Sequence, residues 1–216
     1  FGRIEVSTGH MLAIVLTYLG KAELGLRQAE NCHRLALTVS DTRATLFAEL
    51  NMALPLFWAG KSAQAQSYCE SAIKRVEWMG SSILTGMSKA FVAHILWHTM
   101  QFDKQLDQKL DRQPAEIKIE EFARTAVELS QQQATKLYGG VALGIFLQAA
   151  PLTKEQQIAY IDKGLALLET TVVSHNYLYF TLGAVPILVQ LADHERLILL
   201  YEILIQFFDR ESDKSL

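Results

Sequence analysis

A gapless echo of small residues constrains this chain more than anything else in it. Tyr18-Leu19-Gly20-Lys21-Ala22-Glu23-Leu24-Gly25 aligns with Trp58-Ala59-Gly60-Lys61-Ser62-Ala63-Gln64-Ala65, at an offset of 40 residues. Gly25 pairs with Ala65, Ala29 with Cys69 and Cys32 with Ala72 at that offset, and Ala13, Ala53 and Ala93 follow the same step. Two antiparallel helices approach closely only where side chains without bulk face each other. Small residues at the turn, then four and seven positions on, share one helical face. The glycine at the turn can take a positive φ and end the first helix. The repeating unit is therefore helix, Gly-Lys turn, helix.

Composition supports a chain of this kind. Half of the 216 residues are hydrophobic, enough for a sizeable core, and the net charge of −3 gives no drive toward nucleic acid. Mean hydropathy is +0.13, so some apolar surface is expected to be covered from outside the chain. Cys32 and Cys69 stand apart within helical patterns and read as buried free thiols of a reducing cytosol. The most apolar stretch, Leu197 to Phe208, is broken by Glu202 and is shorter than the roughly 20 residues of a membrane span. The chain opens on Phe1-Gly2-Arg3 without a signal peptide, which reads as an excised fragment or a processed start.

The repeat resembles the tetratricopeptide repeat. The matching residues are Leu12-Ala13, Gly20, Gly25, Ala29 and Cys32 in the first unit, and Met52-Ala53, Gly60, Ala65, Cys69 and Ala72 in the second. Gly25 and Cys32 depart from the family's usual alanines, and the period exceeds its usual length of about 34. The longer period is similar to arrays in bacterial regulators of the maltose-activator type and in ATPase-linked signalling proteins and cyclases. The resemblance implies an all-α fold, a right-handed superhelical array of about five antiparallel pairs.

Periodicity and turn residues place those pairs at about 8–39, 42–79, 82–133, 134–170 and 175–210, within a single domain of 1–216. The third pair carries a charged, amide-rich insertion at 102–114, with its partner helix over 115–133. Residues 211–216 read as a polar tail. Thr153 is expected to cap the helix that follows Pro151, with Gln156 three residues on. Pro55 and Pro186 fall inside expected helices and would kink them, unless the boundaries lie elsewhere.

In the family's register the first helix of each pair lines the concave face. That puts Phe47, Leu50, Leu54, Phe57 and Trp58 there in the second pair, and Met87, His94, Trp97 and His98 in the third. Such an apolar and aromatic lining would suit a protein partner, an amphipathic peptide or a small apolar effector. The competing reading is that these side chains are core between adjacent repeats. The first and last helices, Met11 to Leu19 and Leu197 to Phe208, are apolar on nearly every side, whereas terminal repeats normally present a polar outer face. Either the array continues, or an end is covered by another domain or a second copy in a homodimer.

No catalytic or cofactor chemistry assembles. His94 and His98 share a helical face, but Ile95 stands where a zincin has Glu, and no third ligand is near. Ser71-Ala72-Ile73-Lys74 matches Ser-x-x-Lys without the companion motifs of that enzyme class. Gly139-Gly140-Val141-Ala142-Leu143-Gly144 lacks a preceding strand and a Gly-Lys-Ser/Thr, so Gly140 and Gly144 read as a close helix contact rather than a phosphate cradle. The expectation is a non-enzymatic, cytoplasmic binding module from a larger bacterial signalling or transcription regulator. It would bind protein or peptide, and neither nucleic acid nor membrane directly. The alternatives are a peptide- or small-ligand-sensing receptor domain and a structural dimerisation scaffold.

Overall fold

A computed structural model describes residues 9, 12–105, 112–171 and 173–213. Among these the chain is all helical, without a strand. Residues 12–18 are helical and form α1. They are followed by α2 (Ala22–Val39), α3 (Thr42–Trp58), α4 (Ser62–Met79) and α5 (Ser82–Gln105). Then come α6 (Arg112–Leu129), a π-helical segment (Ser130–Ala134), α7 (Thr135–Ala149), α8 (Lys154–Leu168), α9 (Ser174–Leu191) and α10 (His194–Asp213). Contacts divide the chain into two compact units, Phe1–Ala115 and Glu116–Leu216.

In the first unit the echo in sequence is an echo in backbone geometry. Gly20 and Gly60 have φ of +75° and +73°. Lys21 N–H donates to Leu16 O and Gly20 N–H to Thr17 O, and Lys61 and Gly60 repeat this onto Leu56 and Phe57. This is the Schellman closure, which satisfies the orphan carbonyls of a helix end. The next pair of helix ends matches too, with Ser40 and Gly80 both left-handed. α2 packs on α3, α3 on α4 and α4 on α5, and α3 also meets α5, so the first helices of successive pairs are neighbours. The small residues lie where the pattern needs them: Ala13, Ala29, Ala36, Ala53, Ala65, Ala72 and Ala93 are fully buried. Gly25 departs from alanine for a visible reason, because a Cβ there would sit 2.4 Å from Thr17 Oγ1 and 2.9 Å from Ala13 O. Both thiols are free and buried.

In the second unit the closest contact is between α7 and α9. A Cβ on Gly144 would lie 2.1 Å from Tyr179 O, and one on Gly183 would lie 2.1 Å from Gly144 O, so the two backbones touch. The glycine pair expected to allow close packing does so: Gly140 abuts Asn176, and Gly144 abuts Tyr179 and Phe180. α8 packs on α7 and α9, and α10 on α8 and α9. Thr153 caps α8 in a reciprocal box with Gln156, as its spacing predicts. α9 ends like the first-unit hairpins, with Asp193 N–H on Leu188 O and Ala192 N–H on Val189 O. Here the left-handed residue is Ala192, at φ +53°. Replacing a left-handed alanine by glycine relieves a Cβ clash larger than the unfolded-state entropy it adds. Ala192→Gly is therefore expected to raise stability by about 0.5–1 kcal/mol in urea titration.

Several boundaries differ from the sequence reading. Pro55 and Pro186 do lie inside α3 and α9. Pro55 is in the last turn of its helix, so the i→i−4 bond it removes, to Asn51 O, is one of the last of α3. The described residues of the expected insertion at 102–114 are helical, as α5 runs to Gln105 and α6 begins at Arg112; residues 106–111 lie outside those described. Pro114 falls in the first turn of α6, where its missing N–H has no intrahelical role. The helix expected to start at 115 thus starts earlier and runs from Glu116 onward in the second unit, while α5, its expected partner, is in the first. The break expected at 133–134 is replaced by the π-helical segment. The chain still reverses there: Arg124 lies over the Phe146 ring at 5.4 Å, whereas 22 residues of straight helix would separate them by about 33 Å. The polar tail is shorter than expected, since α10 reaches Asp213; residues 214–216 lie outside those described.

Candidate functional site

The residues that sequence placed on a binding face separate into two groups. Leu50, Leu54, Phe57 and His94 are buried. They belong to the packing between α3 and its neighbours. Phe47, Met87, Trp97 and His98 are half-buried, and Trp58 is 52 % exposed. An aromatic cluster joins the two groups where the end of α3 meets the middle of α5. Phe57 and Trp58 rings are 5.6 Å apart, and His98 lies 6.0 Å from Phe57 and 6.4 Å from Trp58. Trp97 meets His98 edge-on at 4.9 Å, and His94 meets it edge-on at 4.4 Å. Five of the nine candidate residues are thus brought together: Phe57, Trp58, His94, Trp97 and His98.

The physical cause is the i, i+4 spacing of α5 set beside the Schellman turn of α3. His94 and His98 stand one turn apart on the face toward α3, and Phe57-Trp58 is held at the helix end by the Gly60 closure. Edge-to-face rings at these distances are favourable beyond their buried area by about 0.5–1.5 kcal/mol per pair. Burial pushes the His98 imidazole below its ordinary pKa, which favours its neutral ring at neutral pH. Among the described residues, no group of three or more His, Cys, Asp or Glu side chains could hold a metal ion.

The histidines tie stability to pH. His98 and His175 both have folded pKa values below the ordinary 6.5, each mainly because burial disfavours the charged ring. The unfolded chain then binds protons that the folded chain resists. Stability is complete above about pH 6.5 and falls as pH drops through the depressed folded values. Urea midpoints measured from pH 7.5 down to pH 5 are expected to fall, and His98→Gln is expected to flatten part of that fall.

The chain matches no family model. It matches no curated protein either.

Sequence reasoning missed one polar constellation between α3 and α4. Glu49 on α3 is buried, accepting from Arg75 Nε at 2.8 Å, Arg75 Nη2 at 2.7 Å and Ser71 Oγ at 2.8 Å on α4. Ser71 of the Ser-x-x-Lys match is spent on this bridge, a fork-to-fork pair that fixes α3 against α4. The signal in sequence was a carboxylate in the middle of a mostly apolar helix. No helix among the described residues is long and apolar enough to cross a membrane.

Proposed function

We propose that this chain is a non-catalytic, tetratricopeptide-like binding module of a larger bacterial signalling or transcription regulator. Its site is the aromatic face of α3 and α5, and its ligand is an apolar segment of a protein or peptide. One observation carries the reading. Trp58 is 52 % exposed yet fixed by ring contacts to Phe57 and His98, so a large apolar surface is held rigid and open to water. A rigid aromatic loses little conformational entropy on binding, and such side chains dominate interface energetics. The hairpin turns repeated at an offset of 40 residues support the repeat assignment, and the aromatic make-up of the cluster supports binding of an apolar ligand.

The test is selection of displayed peptides on the wild-type chain, followed by affinity measurements on variants. Peptides rich in Leu, Phe and Trp are expected. Trp58→Ser with Trp97→Ala should weaken them by about tenfold or more, while Trp78→Ser, on the highly exposed Trp78 of α4, should not. Equal loss from Trp78→Ser would sink the assignment to this face. A second reading, a dimerisation scaffold, is favoured by the first hairpin, where Leu12 and Val15 of α1 and Leu19 just after it are all exposed. A solution mass that stays dimeric on dilution and becomes monomeric on Leu12→Ser with Val15→Ser would establish it.

A further inference from the structure

We propose that the outward face of α10 is a heptad seam that docks a basic amphipathic helix. This site lies in the second unit and is independent of the aromatic face. α10 carries two apolar stripes. The inward one, Leu200, Ile203 and Phe207, is buried, and Phe207 stacks on Tyr177 at 4.1 Å. The outward one is Ile198, Tyr201, Ile205 and Phe208, exposed by 58, 63, 42 and 60 %. Its spacing of three, four and three residues is the a/d spacing of a coiled coil. Packing on α8 and α9 buries the inward stripe, while the outward one stays exposed. Phe207 and Phe208 meet edge-on at 5.6 Å, which gives part of that outward stripe a defined position.

Charge decides the occupant. Glu195, Glu202 and Asp209 recur every seven residues, at the e position that flanks this seam. Among the described residues none of the three has an ion pair. The arginines of the helix are engaged elsewhere: Arg196 bridges Asp162 and Asp193, and Arg210 Nε donates to Gln206 O. The g positions are Leu197 and Leu204, so the seam has one acidic rim and one apolar rim. A second copy fits this poorly. Antiparallel pairing sets acidic e against acidic e, and parallel pairing sets it against leucine. A helix with apolar a and d residues and Lys or Arg beside them meets both the stripe and the acidic column.

The experiment uses the intact chain and two labelled three-heptad peptides, both with Leu at a and d. One has Lys at e and g and the other has Glu there. In fluorescence anisotropy the Lys peptide is expected to bind at least about tenfold more tightly than the Glu peptide, with affinity falling as salt is added. Tyr201→Ser with Phe208→Ser should remove binding while helical circular dichroism stays unchanged. Glu202→Lys with Asp209→Lys should reverse the preference toward the Glu peptide. That reversal separates a seam from general attraction to an acidic protein. The proposal is overturned if the Lys peptide binds the Tyr201/Phe208 variant as well as it binds wild type, or if charge reversal leaves the preference intact. It is overturned equally by a solution dimer that Tyr201→Ser with Phe208→Ser dissociates, which would assign the seam to a second copy.

Discussion

Gly144→Val is expected to unfold the second unit, and Gly144→Ala to cost about 3 kcal/mol or more. The reason is that nothing flexible stands in the way of the new atom. A Cβ on Gly144 would be 2.1 Å from Tyr179 O, 2.5 Å from Tyr179 C and 2.7 Å from Phe180 Cα, all backbone or backbone-attached. Relief requires α7 and α9 to separate along their most intimate contact, which would open the packing around buried Tyr138, Phe146, Phe180 and Leu188. A useful comparison is Gly60→Ala. Gly60 has positive φ but open space around it, so its substitution should cost only the local strain of about 1 kcal/mol. Urea denaturation followed by circular dichroism checks both. A Gly144→Ala variant no less stable than Gly60→Ala would refute the backbone contact.

The second large effect is expected at Asn176, which is fully buried at the start of α9. Its Oδ1 accepts from Val141 N–H at 3.2 Å. Its Nδ2 donates toward Lys136 O at 3.0 Å, Leu137 O at 3.3 Å and Thr171 Oγ1 at 3.3 Å. One side chain thus serves both the donor and the acceptor groups of α7 just after the π-helical segment. Thr171 Oγ1 and His175 Nε2 also reach those carbonyls, at 2.9 and 3.1 Å. Asn176→Ala leaves Val141 N–H buried without this partner and opens a void, at an expected cost of about 3 kcal/mol. Asn176→Asp changes the shape less but should cost more. Its carboxylate has no donor and would face two carbonyl oxygens in a dry site. If aspartate proved milder than alanine, packing rather than hydrogen bonding would be the role of this residue. Gly140 lies against Asn176, so substitutions at the two sites should not be additive.

The aromatic site was only partly legible beforehand. Phe57, Trp58, His94, Trp97 and His98 could be placed on two first helices from the repeat register alone. Which of them would be open to water could not. Trp58 sits one residue beyond Phe57 at a helix end, and a rotation of about 100° per residue turns one ring inward and the other outward. Leu50 and Leu54 read like binding residues in sequence because a core stripe and a groove stripe have the same composition and period. The α10 seam was legible as excess apolarity. Its division into an inward and an outward stripe needed to be seen against α8 and α9.

The sequence by itself determined the local structure wherever one residue dictates one backbone state. Gly20, Gly60 and Gly80 end helices at positive φ, Thr153 with Gln156 starts one, and alanines at an offset of 40 residues mark where helices touch. These are effects within a turn or two of chain, and the residue types carry them. Tertiary structure decided what depends on distant chain. Examples are the division near residue 115, the π-helical reversal before Lys136 and Leu137, and the backbone contact of Gly144 with Gly183. Tertiary structure also set the choice between burial and exposure for each aromatic. Those outcomes turn on which surfaces meet, and a hydrophobic stripe in sequence records that it wants a partner without recording which one.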